Sequence, residues 1–543
     1  MKSLKQEIID NLKYIISDKE KDLLEKAFLF IEKAHKKQIR KTGEPFINHP
    51  LRVALILSQM KLGVDAVIAG LLHDVVEDTE FSLQTIKSEF NEEVAFLVQA
   101  LTKINKIKYK NLPPFGRQNL FSPCPSGRRG YARNKNLPPF GRQNLFSPCP
   151  SGRRGSARNI KDQEKEETDV EKDNFRNMIL AMAKDLRVVL IKLADRLDNM
   201  KSLWVFDLEK QKRKASESLE IFAPLAYRLG LTDIGAQLED LAFPYVYSEE
   251  YKLTRKIVGR KREELENYLK TIVPLVQEQL KKNNLLLLKI KYRAKHLYSI
   301  WRKLQKEDMD IKRVYDLVAM RIIMPKIEDC YAALGILHQI WKPVPGRFKD
   351  YIALPKPNGY QSLHTTVFAE NGRMVEIQIR TKEMDEEAEW GIAAHWVYGA
   401  NKETKGYKKK KTFIPPKNFY WIKQLQDWQK KFYSSQQFLE SLKVDFFKDR
   451  IFVLTPKGDI IDLPEGATPI DFAYQVHTEI GNQAAGAKIN DKLVPLNYNL
   501  KSGEVVEILT QKGKLPSFSW LEFVKMSETK KKIEEILRRK KLL

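Results

Sequence analysis

The first residues able to do chemistry are a His-Asp pair followed by two more acids, in the run His73-Asp74-Val75-Val76-Glu77-Asp78-Thr79. His73 and Glu77 are one helical turn apart, as are Asp74 and Asp78, so a continuous helix sets all four on one broad face. His49 precedes them in Phe46-Ile47-Asn48-His49-Pro50, and Asp195, Asn199 and Ser202 follow at helical spacing. Two imidazoles and two carboxylates, His49, His73, Asp74 and Asp195, form a mixed nitrogen and oxygen donor set suited to a divalent ion such as Mn²⁺. Such an ion lowers the pKa of bound water and polarises a phosphate oxygen, while Glu77 and Asp78 can transfer protons. A His-Asp dipeptide alone is common and usually marks a surface or core histidine. The combination across three segments carries the chemistry.

A second group of residues suits polyphosphates. Arg293, Lys295, Ser299 and Lys303 lead into a helix with Ser299 and Lys303 one turn apart, a cationic rim for a triphosphate. Arg293 is also able to stack on a base. In the run Val375 to Arg380, strand alternation sends Val375, Ile377 and Ile379 to the core and Glu376, Gln378 and Arg380 to the other side. Asp316, at the start of another strand, and Glu376 are candidates for one Mg²⁺ site, because that ion takes one or two carboxylates plus substrate phosphates. Between them Arg347, Lys349, Lys356, Asn358, Tyr360 and His364 crowd into one short stretch. Singly, each reads as part of a solvated basic loop.

The elements that position these groups follow from the hydropathy pattern. Residues 1–240 are helical: Leu23, Ala27, Phe30, Ile31 and Ala34 keep three- and four-residue steps, and Met178 to Trp204 runs without Gly or Pro. Residues 241–400 mix short apolar runs with helical segments, which predicts an α/β domain. Residues 401–448 read as a charged linker and helical segment. Residues 449–512 are β-rich, with a Pro-Lys-Gly-Asp hairpin signal at 456–459. Residues 513–543 end as a basic helix.

The chain has 543 residues, and its 95 Lys and Arg against 70 Asp and Glu leave a net charge of +25. That length suits three or four domains, and a 43% apolar fraction excludes wholesale disorder. No uninterrupted run of 18 apolar residues exists to span a membrane, and the N-terminus lacks a signal peptide's apolar block. A cytoplasmic location is expected. Three Cys make no disulfide framework. The positive surplus points to polyanions: nucleotides, RNA or a ribosome. Ten of those charges sit in a 25-residue segment, Lys110 to Asn134, repeated as Lys135 to Asn159 with one change, Tyr131 to Ser156. Rich in Pro, Gly, Ser and Arg, the insert 110–159 is read as a disordered, recently duplicated loop, with an RNA-binding arm as the alternative.

The strings IRKTGEPFINHP, GLLHDVVEDT, ALTKI and IKLADRLDNM resemble the helical HD-type hydrolase domain of the RelA/SpoT family of (p)ppGpp synthetase/hydrolases. The resemblance implies that His49, His73, Asp74 and Asp195 hold Mn²⁺, that Glu77 and Asp78 serve the attacking water, and that Arg40, Lys41 and Asn199 bind nucleotide. GRFKDYIALPKPNGYQSLHTT is similar to the family's synthetase domain, a mixed α/β nucleotidyltransferase-like fold. It implies transfer of pyrophosphate from ATP to the 3′-hydroxyl of GDP or GTP. Arg293, Lys295, Ser299 and Lys303 would hold ATP, Tyr360 would stack on guanine, and Lys349, Lys356, Asn358 and His364 would surround the acceptor. Glu376 would bind Mg²⁺, with Asp316, or remove the 3′ proton. The tetrad from Arg347 to Asp350 is the basic version of a loop that accompanies both activities.

Residues 449–512 resemble a TGS domain, a small β-grasp module, which implies contact between His477 and the 3′ end of uncharged tRNA. Long family members continue through further modules, whereas this chain stops at Leu543, so ribosome docking is left open. Asp198 stands where the family usually has His, and the expected consequence is an altered substrate fit rather than loss of metal. Two alternatives remain: a synthetase whose hydrolase is impaired by the insert and Asp198, or a tRNA-binding stress sensor without catalysis.

Overall fold

The computed structural model describes residues 2–12, 16–105, 185–311, 314, 317–356, 359–393 and 450–539. The expectations for the duplicated insert, the 401–448 linker, Asp316 and Asn358 lie outside the described residues.

The N-terminal domain is all helical: α1 (Lys2–Leu12), α2 (Asp18–Ala34), α3 (Asn48–Gln59), α4 (Val64–Leu72), α5 (Val75–Asp78), α6 (Leu83–Glu89), α7 (Glu92–Asn105), α8 (Leu186–Lys201), α9 (Leu208–Glu217), a π-helical turn Ser218–Phe222, α10 (Ala223–Arg228) and α11 (Thr232–Val246). Every residue of α4 except Asp65 is buried, so this helix runs through the bundle centre as a sequence apolar at its other eight positions must. Gly70 permits that: a Cβ there would stand 2.4 Å from Leu57 of α3. On α2 the buried stripe is Leu24, Ala27, Phe28 and Ile31; Leu23, Phe30 and Ala34 are only partly covered, so the face is turned from the one expected.

Two local expectations change. His73, Asp74, Glu77 and Asp78 do not share one helix: α4 stops at Leu72, and His73 and Asp74 form the break before the four residues of α5. The helix expected from Met178 to Trp204 is, among the described residues, Leu186–Lys201. It is capped by the Asp185 carboxylate, which accepts from the Arg187 amide at 2.9 Å.

The second domain opens with α12 (Ser248–Lys282) and continues β1 (Lys289–Ala294), α13 (Leu297–Lys306), β2 (Val318–Met324), α14 (Ile327–Ile340), β3 (Lys342–Pro343), β4 (Lys349–Asp350), β5 (Leu363–Phe368), β6 (Met374–Thr381) and α15 (Lys382–Trp390). The sheet order is β1-β2-β6-β5-β3, with β4 also on β5. Among the described residues of this sheet only the β2–β6 pair is parallel. Val258, Leu269, Ile272 and Val276 of α12 pack with Ile322, Ile377 and Ile379 as its core.

The third module has an antiparallel hairpin of β7 (Arg450–Leu454) and β8 (Ile460–Pro464), turning at Gly458 with φ +87°. Then come α16 (Pro469–Val476), α17 (Thr478–Asn482) and a sheet ordered β10 (Lys492–Val494), β9 (Ala484–Ile489), β11 (Val506–Thr510). The basic C-terminal helix, Ser527–Arg539, buries Ile533 and Leu537 against Tyr474 and Trp520.

Contacts between domains are specific. Phe243 of α11 lies 5.2 Å from Trp301 and 5.3 Å from Tyr298 on α13. Arg228 donates to Asp462 at 2.8 Å, tying the first domain to the third. Among the described residues no helix is long and apolar enough to cross a membrane.

Candidate active sites

In the helical domain, α3, the break after α4, and α8 bring His49, His73, Asp74 and Asp195 together. His49 Nε2 is 3.6 Å from an Asp74 oxygen and 3.3 Å from Asp195 Oδ1. His73 Nε2 is 3.2 Å from Asp74 Oδ1 and 3.7 Å from the same Asp195 oxygen. One donor atom each from His49, His73 and Asp74 falls within 4.8 Å of the others.

The outer hydrogen bonds define the imidazole tautomers. His73 Nδ1 donates to the Gly70 carbonyl at 2.8 Å, and His49 Nδ1 to Asp198 at 2.7 Å. Both Nε2 lone pairs then point at the acids, and His73 Nε2 is buried without a hydrogen-bond partner. A buried polar atom of this kind calls for an occupant. Burial works against charge on both imidazoles, but the surrounding carboxylates outweigh it and raise both pKa values. Burial likewise disfavours the Asp195 carboxylate, yet Lys192 and the two imidazoles hold it well below the usual range. The field that draws protons onto the rings also favours a divalent cation between two neutral imidazoles and two carboxylates. The donor set fits one.

Glu77 and Asp78 edge the site. They line a cavity of about 600 Å³ with Lys33, Ala34, Gln38, Thr79, Glu80 and Phe81. Burial, then the nearby Asp74 charge, raises the Asp78 pKa, which suits a group that exchanges protons. Gly43 takes φ +84° in the turn that follows Arg40, and the Arg40 guanidinium donates to the Asn199 side-chain oxygen Oδ1 at 2.7 Å. Lys41 lies 5.4 Å from the Phe206 ring, which Lys210 also approaches at 4.2 Å.

Sequence reasoning missed Lys192, Arg52, Glu44 and Phe206. Lys192 contacts Asp195 at 2.7 Å from one turn earlier, a spacing that could have found it. Asp198, for which an altered substrate fit is expected, has a side chain that is 1% exposed and lies 2.7 Å from His49 Nδ1, a candidate metal ligand.

In the second domain β4, β5, β6 and the loop between β4 and β5 carry Lys349, Lys356, Tyr360, His364 and Glu376. Lys349 pairs with His364 across the β4–β5 ladder. The Tyr360 hydroxyl is 2.7 Å from His364 Nε2, and His364 Nδ1 is 3.5 Å from Glu376. Gln378 donates to Glu376 at 2.9 Å, a further residue of the site that strand alternation had placed beside it. Lys356 lies 4.6 Å from the Tyr351 ring and 5.0 Å from that of Tyr360. Burial, and then the positive charges of Lys349 and Arg293, push its pKa down to about 8.

Arg293 is on β1, Lys295 follows it, and Ser299 and Lys303 share a face of α13. Arg347 sits on an exposed turn, its amide donating to Val344 at 3.2 Å. Arg380, which shares its strand face with Glu376, is fully buried and paired with Asp385. In the third module His477 is exposed at the N-cap of α17, where Nδ1 accepts from the Glu479 amide at 3.3 Å.

Three domain families match in this order. Residues 27–120 and 151–232 match the HD domain. Residues 292–403 match the region found in RelA / SpoT proteins, and 451–510 the TGS domain. A guanosine-3′,5′-bis(diphosphate) 3′-pyrophosphohydrolase from Aquifex aeolicus is 44% identical over 95% of this chain and 64% of its own length. A GTP pyrophosphokinase from Myxococcus xanthus is 41% identical over 96% of this chain and 61% of its own. The bifunctional (p)ppGpp synthase/hydrolase SpoT of Escherichia coli is 38% identical over 95% and 64%. The fold and sites define a chain that joins a helical HD domain to a mixed-sheet synthetase-type domain and a TGS module. It belongs to the RelA/SpoT family. It spans between three fifths and two thirds of the length of these relatives.

Proposed function

We propose that this protein makes and degrades (p)ppGpp in the stringent response, using the α/β domain for synthesis and the helical domain for hydrolysis. The observation that carries the reading is that His49, His73, Asp74 and Asp195 lie together around an orphaned imidazole nitrogen, while Tyr360, His364 and Glu376 meet in a second place. Relatives bearing the names of each activity and of both together support it. ATP and guanine nucleotides as substrates fit a cytoplasmic enzyme.

In hydrolysis His49, His73, Asp74 and Asp195 would hold Mn²⁺, which supplies Lewis acidity toward a phosphate oxygen and lowers the pKa of water. Asp78, its pKa raised, and Glu77 take a proton from the attacking water and return one to the leaving 3′ oxygen. Arg40, Lys41 and Asn199 orient the nucleotide, with the Phe206 ring beside Lys41 as an apolar surface for the base. In synthesis Glu376 would accept the 3′ proton of GDP or GTP as that oxygen attacks the β-phosphorus of ATP, releasing AMP. Lys349, Lys356, Tyr360 and His364 hold the acceptor, while Arg293, Lys295, Ser299 and Lys303 hold ATP, with Arg347 at the rim. Mg²⁺ would be held by Glu376 with Asp316 and the phosphates, an oxygen donor set of the right hardness. The exposed His477 of the TGS module is the contact expected for uncharged tRNA.

The test is a paired assay on the full chain, ATP plus GDP with Mg²⁺ against ppGpp with Mn²⁺. Glu376→Gln should abolish synthesis and leave hydrolysis, and Asp74→Ala the reverse. Synthesis surviving the first change, or hydrolysis surviving the second, would refute the corresponding site.

A further inference from the structure

Asp198 is a buried acid on the far side of a candidate metal ligand. Its side chain is 1% exposed, and one oxygen lies 2.7 Å from His49 Nδ1. Arg52 clamps it, Nε donating to Oδ1 at 2.7 Å and the terminal nitrogen to Oδ2 at 3.2 Å. The same guanidinium reaches Glu44 at 2.8 and 2.9 Å. Arg40 stands 3.6 Å from Asp198 as well. Two acids and two guanidiniums thus balance in charge around a carboxylate that has left water. Burying an ion pair is costly, and apolar side chains of similar size often pack as stably. Stability alone is a weak reason for this network.

The two imidazoles of the centre differ in what stands behind them. His73 donates from Nδ1 to a neutral acceptor, the Gly70 carbonyl, while His49 donates to an anion. A carboxylate behind an imidazole excludes the other tautomer, keeps the ring from rotating, and makes Nε2 a stronger donor. Arg52 and Glu44 keep that carboxylate from swinging away.

We infer that Asp198, held by Arg52 and Glu44, is the positioning residue that aims and strengthens His49 as a ligand of the divalent-cation centre. The inference rests on the cation centre proposed above and deepens it, because it assigns a role to an acid outside the donor set. It also separates the ligands: His49 depends on an ion pair contributed by three segments, His73 only on the last turn of the helix that ends just before it.

The experiment titrates Mn²⁺ alone into the full chain by calorimetry, using wild type, Asp198→Asn, Arg52→Lys and His73→Ala, with ¹⁴N couplings to bound Mn²⁺ read by pulsed electron paramagnetic resonance. Asp198→Asn keeps the shape and loses the charge. It is expected to bind Mn²⁺ about 10- to 100-fold more weakly, with one of the two imidazole nitrogen couplings altered. Arg52→Lys keeps a cation but not the fork, and a several-fold loss is expected. If Asp198→Asn does not fold, Arg52→Lys decides by the same two readouts. Affinity within twofold of wild type with both couplings unchanged overturns the inference while the metal centre stands. Wild-type binding that His73→Ala leaves intact overturns the centre itself, and the inference with it.

Discussion

His296 joins the first two domains by its charge, and titrating it should loosen them. At the N-cap of α13 its Nδ1 is 2.9 Å from Asp240, and Nε2 is 3.9 Å from Asp233, both on α11. Glu239 and Arg302 face the same junction. Burial disfavours the imidazolium, but the Asp233 and Asp240 carboxylates more than offset this and raise the pKa from 6.5 to about 9. At about 1.4 kcal/mol per pH unit, that gap is worth roughly 3 kcal/mol for the folded state. Its side chain is only 22% exposed, so solvent screening removes a minor part. The folded pKa lies above the unfolded one, so the stabilisation is fully present below pH 6.5 and is lost as pH rises through about 9. Spread over two domains, it corresponds to a change in Tm on the order of 5 °C. Calorimetric unfolding of wild type and His296→Gln between pH 6 and pH 10 reads it. Wild type should be several degrees more stable at pH 6, with the difference closing by pH 10. Parallel curves would refute the reasoning.

Gly391, which follows α15 with φ +50°, meets the first domain backbone to backbone: a Cβ there would stand 2.3 Å from the Leu229 carbonyl oxygen and 2.4 Å from Gly230. Gly391→Ala should cost about 2 kcal/mol or more and expose the junction to limited proteolysis; denaturation and digestion like wild type would exclude this close approach. Lys356, with a pKa of about 8, should take up about half a proton at pH 8 when GDP places phosphate beside it, because an anion favours the charged amine. Calorimetry in two buffers of different ionisation enthalpy measures that uptake, and the same value in Lys356→Met would remove Lys356 as its source.

Much of this architecture was legible because each domain writes a different period. The mostly apolar α4, the alternating β6 and the hairpin signal around Gly458 each form as the pattern requires. The break at His73 was not legible. Nothing in Leu71 to Asp78 is a helix breaker, and the segment reads as one helix. His73 and Asp74 keep right-handed helical dihedrals, yet the hydrogen-bonded helix ends at Leu72 and resumes at Val75, and at this interruption the two side chains meet His49 and Asp195. Arg380 shows the converse: alternation assigned its face correctly, but Asp385 of the following helix takes it into the core.

The identity of the donors was a property of the sequence alone: imidazole, carboxylate, amine and phenol types at spacings that suit a divalent ion and two nucleotides. Their partners were not. His49 and Asp198 are 149 residues apart, and Arg40 and Asn199 are 159 apart. Only packing brings them within hydrogen-bond reach. Tautomer, donor strength and pKa depend on those contacts and on exclusion of water, both of which fall off over a few ångströms. Spacing along the chain therefore carries the chemistry's ingredients, and the tertiary structure decides which nitrogen faces the candidate cation site, which acid stands behind that imidazole and which lysine is held near neutrality.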